Sequence, residues 1–454
     1  MALASINSYV VNIYIRDVVI AAGYSINALY ACVCASPMCG ARRESETDYR
    51  AAHRSEYKLP MLTLPLSPEI AVPGLLAVVD HAVGELRRGG FVILSAAEEG
   101  EGVFIMQAAE AVTSQSLGIL GRLSDQPVAL ALTLRRAMVL GLVEKALDGS
   151  PDPTDVVLVK APAGLEAERV LPLAEVAAEE HTVRSESLSV TFLSGRSAIG
   201  AAVRLVKLAR LLPAAVLVPR SFEPKVSSHS AVRKILKGDV PLAITVKVED
   251  INTYDQCVVR TLRPVSEAQV PLAGAENVRL IAFRPSDGGI EHLAIIVGIP
   301  DSTTPVLVRL HSECFTGDLL DSLRCDCGSQ LRGAIAAITA AGAGVLLYLA
   351  QEGRGIGLVN KLRAYQLQDR GFDTLEANGQ LGFDDDERTY MPAAEMLRQL
   401  GFCRVRLMTN NPHKVEALVY HGIEVTERIP HIFPANAHNL SYIQTKSTKG
   451  NHIF

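Results

Sequence analysis

The sequence predicts an α/β (α+β) protein made of two mixed αβ domains, and three observations predict it. At 454 residues the chain exceeds what one hydrophobic core ordinarily serves. Short β-rich apolar runs alternate with stretches of helical periodicity in both halves. Hydrophobic residues at 48% and charged residues at 20% give the balance of a globular chain rather than a disordered one.

Residues 1–60 precede this alternation. They mix apolar pieces with Cys32, Cys34 and Cys39 and then turn charged, from Arg42 to Tyr57. They read as an extension, disordered or mis-assigned, with translation expected to begin near Met61. Residues 61–220 form the first domain. Pro73 to Arg88 has helical spacing (Leu76, Val79, Val83, Leu86) and stops at Gly89-Gly90. Strands are expected at Phe91 to Leu94, Val103 to Met106, Val128 to Leu134 and Val156 to Val159. An amphipathic helix over Ala198 to Leu212 leads through Pro213 into a strand, Ala214 to Val218.

Residues 221–265, with a basic patch at Arg233, Lys234 and Lys237, read as a bridge. The second domain, 266–454, holds strands at Val278 to Phe283, His292 to Val297 and Val306 to Leu310. A helix (Gln330 to Ala341), a strand (Val345 to Leu349) and a helix (Leu358 to Arg370) follow. Next come a helix ending at Gly401, a strand (Val405 to Met408) and a helix opened by Asn411 as N-cap with Pro412 at its first position. The tail Ala435 to Phe454 is polar and expected to be loosely ordered. No internal repeat is present.

Composition excludes some partners. A formal net charge of −5 argues against nucleic acid or an anionic membrane surface. The apolar run Val10 to Ile15 is broken by Arg16 and Asp17, too short to span a bilayer. The first residues lack the basic start of a secretory signal. Eight cysteines, three of them clustered, suit a reducing compartment, and a cytoplasmic location is expected.

The chemistry concentrates after residue 308. Cys314, Cys325 and Cys327 follow the pattern Cys-x10-Cys-x-Cys among a His, a Glu and two Arg. Thiolates this close repel one another unless a soft cation shares them. Three ligands would leave an open position for water, as in a catalytic zinc site. A structural zinc with a fourth ligand elsewhere, or a disulfide with a spare thiol, are the alternatives on spacing alone. Gln351-Glu352-Gly353-Arg354-Gly355-Ile356-Gly357 is a glycine-rich turn whose backbone can approach a phosphate, though such turns are common in α/β proteins. In Leu381-Gly382-Phe383-Asp384-Asp385-Asp386-Glu387-Arg388 an acidic run precedes an arginine that Asp386 can hold or deprotonate. Thr409-Asn410-Asn411-Pro412-His413-Lys414 puts a hydroxyl and an ammonium at a strand end and helix start, a usual place for anion recognition.

Together, Arg309-Leu310-His311-Ser312-Glu313-Cys314, Arg324-Cys325-Asp326-Cys327-Gly328, Gln351 to Arg354, Gly382-Phe383 with Asp386-Glu387-Arg388, and Thr409 to Pro412 closely resemble GTP cyclohydrolase II. The resemblance covers about residues 266 to 445 and keeps the spacing between motifs. It implies one Zn²⁺ on Cys314, Cys325 and Cys327, which activates water to attack C8 of the guanine ring and release formate. It implies that Arg388 attacks the α-phosphate and expels pyrophosphate. Since guanidinium is normally protonated, it needs Asp386 as its base. Tyr365 matches a tyrosine near the activated water. Arg309, His311, Ser312, Glu313, Gln330, Glu352, Gly353, Arg354, Thr374, Thr409 and Lys414 match positions that hold GTP, with Mg²⁺ on the triphosphate. A cytoplasmic homodimer of the riboflavin pathway is the expectation, with no nucleic acid and no membrane as partner.

The first half resembles 3,4-dihydroxy-2-butanone 4-phosphate synthase in Gly89-Gly90-Phe91-Val92-Ile93-Leu94 through Ala108-Ala109-Glu110 and in Leu208 to Val216. That enzyme's acidic loop, Asp-Arg-Glu-Asn-Glu-Gly-Asp, is here Glu98-Glu99-Gly100-Glu101-Gly102-Val103-Phe104. Its Gly-His-Thr-Glu segment falls on Ser197-Ala198-Ile199-Gly200. Without the His and the Glu this domain is expected to be inactive as a synthase, and Glu98, Glu99 and Glu101 to form a solvated loop. The alternatives are a bifunctional enzyme that still works with substituted residues, or a non-catalytic binder with a structural zinc. Asp386, Arg388 and Tyr365 argue against the binder.

Overall fold

The computed structural model describes residues 73–96, 102–143, 152, 154–161, 164–175, 188–220, 243–448 and 453. The first cysteine group, Glu98 to Glu101 and the patch at Arg233, Lys234 and Lys237 lie outside them.

In the first half α1 (Pro73–Arg87) is followed by β1 (Val92–Ser95) and β2 (Val103–Ala108), then α2 (Ser114–Arg122), β3 (Ala129–Thr133) and α3 (Leu134–Val139). Further on come β4 (Val156–Lys160), α4 (Ala167–Ala174), β5 (Ser189–Leu193), α5 (Ala198–Leu208) and β6 (Ala214–Arg220). Helix α1 buries Leu76, Val79, Ala82 and Leu86 as one stripe, and Gly89 at φ +79° turns the chain away from it. With β7 (Ile244–Lys247), the strands form a sheet in the order β5-β4-β3-β6-β2-β1-β7, antiparallel except for the β1–β7 pair. Strand side chains alternate between two cores: Ile93, Leu130, Leu132 and Val216 face one, while Val92, Leu94, Ala131 and Ala215 face the other.

The stretch read as a bridge is divided between the two sheets. Its described part begins with β7 (Ile244–Lys247), at the edge of the first sheet, and α6 (Val248–Arg260), which lays Ile251 and Tyr254 on the first half's core. Strand β8 (Arg263–Gln269) then forms the edge of the second sheet. The acidic, sparsely apolar sequence of α6 hides its helix, because only three of its side chains are buried.

In the second half come β9 (Val278–Arg284), β10 (His292–Val297), β11 (Val306–Ser312), α7 (Phe315–Asp318), α8 (Cys327–Ala340) and β12 (Gly344–Leu349). A 3-10 turn (Glu352–Gly355), α9 (Leu358–Asp369), α10 (Thr374–Gln380) and α11 (Met391–Gln399) lead to β13 (Arg404–Met408), α12 (Pro412–Tyr420) and β14 (Glu424–Ile429). The sheet order is β14-β13-β11-β12-β10-β9-β8. Strands β14, β13, β11 and β12 run parallel, and β10, β9 and β8 extend the sheet antiparallel. From β11 the chain crosses to β12 on one side, and β13 joins on the other. The segments leaving their carboxyl ends therefore diverge around a crevice, the usual ligand position in such sheets.

The tail is a correction. It carries a helix, α13 (Leu440–Thr448), preceded by a turn in which Asn436 Oδ1 accepts from the His438 N–H at 2.7 Å. The Ile453 N–H reaches the Asn410 carbonyl at 2.8 Å, beside the end of β13. Tertiary contacts supply the order that a polar sequence does not advertise. No helix among the described residues is long and apolar enough to cross a membrane.

The two halves share a core. Leu212 is buried with Ile356, Leu367, Leu381 and Phe383. The Thr133 hydroxyl donates to the Gly382 carbonyl at 2.7 Å. Arg136 is buried and donates to Leu173, Pro172 and Glu175 carbonyls at the end of α4 and, at 2.7 Å, to the Gln380 carbonyl at the end of α10. Its positive charge meets the carbonyl ends of two helices, where the helix dipole favours a cation. Burial lowers its pKa to about 10, so it stays charged.

Candidate active site

The crevice opens into a cavity lined from both of its walls. Arg309, His311 and Ser312 come from the end of β11, and Glu313 and Cys314 follow it. Cys325, Cys327 and Gln330 come from the start of α8, Glu352, Gly353 and Arg354 from the glycine turn, and Tyr365 and Thr374 from α9 and α10. Arg388, Thr409 and Lys414 complete the set, so every predicted site residue lines this cavity except Asp386. Asp386 is bound to Arg388 instead, accepting from Nε at 2.7 Å and from Nη2 at 2.5 Å.

The three cysteine Sγ atoms lie within 4.8 Å of one another, and Cys314 Sγ is 3.8 Å from Cys325 Sγ. Zn–S bonds of about 2.3 Å at a tetrahedral angle place sulfurs about 3.8 Å apart, so the spacing fits Zn²⁺. Gly317 makes the cradle possible: a Cβ there would stand 2.7 Å from Cys325 Sγ and 2.9 Å from Cys327 Cβ. The thiols polarise one another. Hydrogen bonds from Cys325 and Cys327, then Lys361, pull Cys314 far below the thiol range, and donating to Cys314 raises Cys325 to about 11. Three thiols this close cannot all ionise unless a cation shares them.

Lys361 is the main residue that motif reading missed. Its ammonium is buried and donates to Cys314 Sγ at 3.1 Å, Thr316 Oγ1 at 3.0 Å and Glu352 Oε1 at 2.9 Å. Glu352 has both oxygens engaged, since Oε2 accepts from the Phe315 N–H at 2.6 Å and Oε1 also accepts from the Gly353 N–H at 2.8 Å. This carboxylate therefore ties the cysteine segment to the glycine turn. The turn itself needs left-handed backbone at Gly353 (φ 63°) and Arg354 (φ 61°).

Asp318 has a similar tying role. It accepts from the Cys314 N–H at 3.0 Å and the Tyr348 hydroxyl at 2.9 Å, and both its oxygens stand 3.1 Å from His311 Nε2. Burial holds His311 below its ordinary pKa, against the pull of Asp318.

Arg309 is buried; it donates to the Met408 carbonyl at 2.9 Å and to Gln330 Oε1, while its Nε has no hydrogen-bond partner. Lys414 is buried and donates to the Leu310 carbonyl at 2.8 Å. Thr409 Oγ1 accepts from the Asn411 N–H at 3.0 Å, and Asn411 caps α12 through the His413 N–H, as the sequence predicts. Tyr365 lies under the Arg324 guanidinium, 4.6 Å from ring centre to Cζ, and burial lifts its hydroxyl to about 12. The hydroxyl keeps its proton at neutral pH.

A family model described as GTP cyclohydrolase II matches residues 263–430. The GTP cyclohydrolase-2 of Azospirillum brasilense is 51% identical over 390 residues, covering 85% of this chain and 97% of that protein. The chain belongs to the GTP cyclohydrolase II family. The riboflavin biosynthesis protein RibBA of Chlorobium phaeovibrioides is 34% identical over 395 residues, 83% of this chain and 96% of its own length. The GTP cyclohydrolase-2 of Cronobacter sakazakii is 50% identical over 192 residues, 42% of this chain and 97% of its own. A solved two-domain 3,4-dihydroxy-2-butanone 4-phosphate synthase from A. baumannii, RibBX, covers 78% of this chain and 99% of its own at 18% identity and a TM-score of 0.32. That last likeness is too loose to bear on chemistry.

In this GTP cyclohydrolase II chain the cavity also receives Arg324 from the cysteine segment and Tyr442 from the tail helix. Arg324 stands next to Cys325 and was read only as part of a motif. Tyr442 had no local signal, since it enters by the packing of α13.

Proposed function

We propose that this chain is a zinc-dependent GTP cyclohydrolase II of riboflavin biosynthesis. It converts GTP to 2,5-diamino-6-(5-phospho-D-ribosylamino)pyrimidin-4(3H)-one with release of formate and pyrophosphate. One observation carries the reading: three thiols spaced for Zn²⁺ and an arginine clamped by a carboxylate open onto the same cavity.

Cys314, Cys325 and Cys327 would hold Zn²⁺, which when bound supplies the Lewis acid that activates water for attack at guanine C8. Lys361 balances the thiolate charge and, with Glu352, holds Cys314 in place. Tyr365 keeps its proton and donates it at the ring-opening end of the cavity. Arg309, Arg354 and Lys414 give the cavity the positive charge a triphosphate requires, and Mg²⁺ brought in with GTP would offset part of the phosphate charge. His311, Ser312, Glu313, Gln330, Gly353, Thr374 and Thr409 complete the GTP cavity wall. At the phosphate end Arg388 attacks the α-phosphate after giving a proton to Asp386, a P–N bond forms, and the P–O bond to pyrophosphate breaks. Water then cleaves the P–N bond and restores the guanidine.

The first half is proposed to be inactive as a synthase. Where the resembled enzyme has its metal-binding His and Glu, Ser197 caps α5, and Ala198, Ile199 and Gly200 are buried in its first turn. A reducing, cytoplasmic setting keeps the thiols available. A homodimer is supported by the exposed apolar run Phe315, Leu319, Leu320 and Leu323.

The test is zinc-loaded protein with GTP and Mg²⁺, assayed for formate, pyrophosphate and diaminopyrimidine absorbance, with ribulose 5-phosphate offered in parallel. Turnover of GTP alone is expected. Turnover of ribulose 5-phosphate would reinstate the first half as an enzyme, and turnover of neither would remove the reading.

A further inference from the structure

The loop that carries Asp386 and Arg388 is held from behind by the other half of the chain. Lys207, on α5, places Nζ 2.6 Å from Glu387 Oε1 and 3.4 Å from Asp384 Oδ2. Arg135, on α3, places Nη2 3.1 Å from Asp385 Oδ1 and Nε 3.6 Å from Asp384 Oδ1. Of the four consecutive acids 384–387, three are therefore paired with cations of the first half, and Asp386 alone is paired with Arg388.

The backbone of the loop is held on two sides. Thr133 Oγ1 and Arg136 bind the carbonyls of Gly382 and Gln380, and a Cβ on Gly382 (φ +85°) would press on Thr133 Oγ1 at 3.1 Å. From the substrate side the Glu387 N–H donates to the Arg354 carbonyl at 3.1 Å, and Arg354 Nη1 donates to the Asp385 carbonyl at 3.2 Å. Between the halves a second cavity is bordered by Lys207, Asp255, Gly355, Asp384, Glu387 and Thr389. Beside this cavity the charge pairs add to the shared core at Phe383 and to the bonds on Gln380 and Gly382 in fixing the rear of the loop.

We propose that the first half acts as an electrostatic brace for this loop, with Lys207 and Arg135 as positioning residues. This rests on the role given to Arg388 above. Their cations occupy Asp384, Asp385 and Glu387, which would otherwise compete for the Arg388 guanidinium only one to four residues away. Pairing those rivals leaves Arg388 to Asp386, in the register that opens onto the cavity. The C. sakazakii relative aligns over nearly all its own length with 42% of this chain. The family's chemistry therefore does not require a second domain, and the brace adjusts this chain's catalytic loop rather than creating it.

The experiment uses full-length, zinc-loaded wild type, Lys207→Met, Lys207→Arg and Arg135→Gln. Lys207→Met is expected to lower kcat for pyrophosphate and formate release about tenfold, with KM for GTP within about twofold, because the nucleophile is misplaced while the substrate contacts stay. Zinc content and Tm should hold, and Lys207→Arg should recover most of the rate. Raising salt from about 0.1 to about 1 M should slow wild type toward Lys207→Met and change the variant little. An unchanged kcat in Lys207→Met, or a loss confined to KM, overturns the brace. If Lys207→Met loses zinc or melts early, Arg135→Gln at the exposed end decides: a kcat equal to wild type overturns the brace, and a lowered one supports it. Wild type that releases no formate would instead overturn the reading of the site, and the brace with it.

Discussion

Asp386 grips Arg388 with both carboxylate oxygens, Oδ1 on Nε and Oδ2 on Nη2, and leaves Nη1 outside the clamp. Burial works against the Asp386 charge, but the guanidinium outweighs it and holds the carboxyl below its ordinary range. Burial likewise opposes the Arg388 charge, and Tyr390 and Asp386 more than offset it, so its pKa is raised. The resting pair is ionised with the proton on arginine. An attacking guanidine nitrogen must first lose that proton, and Asp386 is the acceptor in contact.

Asp386→Asn keeps the shape and removes the proposed base. Pyrophosphate release should fall about 100-fold, with zinc content and Tm unchanged, as measured by a pyrophosphatase-coupled phosphate assay. Arg388→Ala should abolish it. Formate release at the wild-type rate in Arg388→Ala would refute the role given to that residue.

Gly317→Ala tests the cysteine cradle without touching a ligand. The added methyl would stand 2.7 Å from Cys325 Sγ, so the thiols must spread. Zinc per chain by elemental analysis should fall well below one while circular dichroism stays native. Full zinc occupancy would show that the thiols are not packed as the structure has them.

Asp80, Tyr254 and Asp287 form a cluster in which the Tyr254 hydroxyl bonds to Asp80 and stands 3.0 Å from Asp287 Oδ2. Burial, and then the Asp287 charge, raise Asp80 from 3.8 to about 6, against the Tyr254 hydrogen bond, which lowers it. The folded state therefore holds a proton that the unfolded chain gives up near pH 4. Stability from this group is full below that value and is lost as pH rises through about 6. The Tm difference, wild type minus Asp80→Asn, should drop by about 2 °C from pH 4.5 to pH 7, the small size reflecting a half-exposed carboxyl. A flat difference in calorimetry would exclude the shift.

The exposed run at Leu319 (71%), Leu320 (64%) and Leu323 (58%) predicts self-association. Leu319→Glu with Leu320→Glu should convert a dimer to a monomer in light scattering at micromolar concentration. A wild-type chain that is already monomeric would remove the homodimer.

Much of the second half was legible because its chemistry is written in short, spaced motifs at strand ends. The spacing of Cys314, Cys325 and Cys327, and Asn411-Pro412 as a helix start, carry their geometry locally. Lys361 did not show, since a lysine in a polar helix reads as solvated until tertiary packing buries it against Cys314 and Glu352. Glu352 was legible as a site residue, but not as a strut with both oxygens already committed. Tyr442 was hidden in a polar tail. In the first half, α6 and β7 were hidden because three buried residues in a helix of 13, and an edge strand of four residues, leave little periodicity.

Arg136 draws its carbonyl partners from both halves, three near the end of α4 and one at Gln380. A guanidinium shared in this way makes the two halves poor interchangeable parts. An engineer who grafted a working synthase onto this cyclohydrolase would have to bring an arginine to that position and a hydroxyl to the place of Thr133. Without them the graft would leave the Gln380 and Gly382 carbonyls without partners at the seam. The cost of that exchange falls on the second half, whose two carbonyls would lose their donors, so the fusion resists being taken apart.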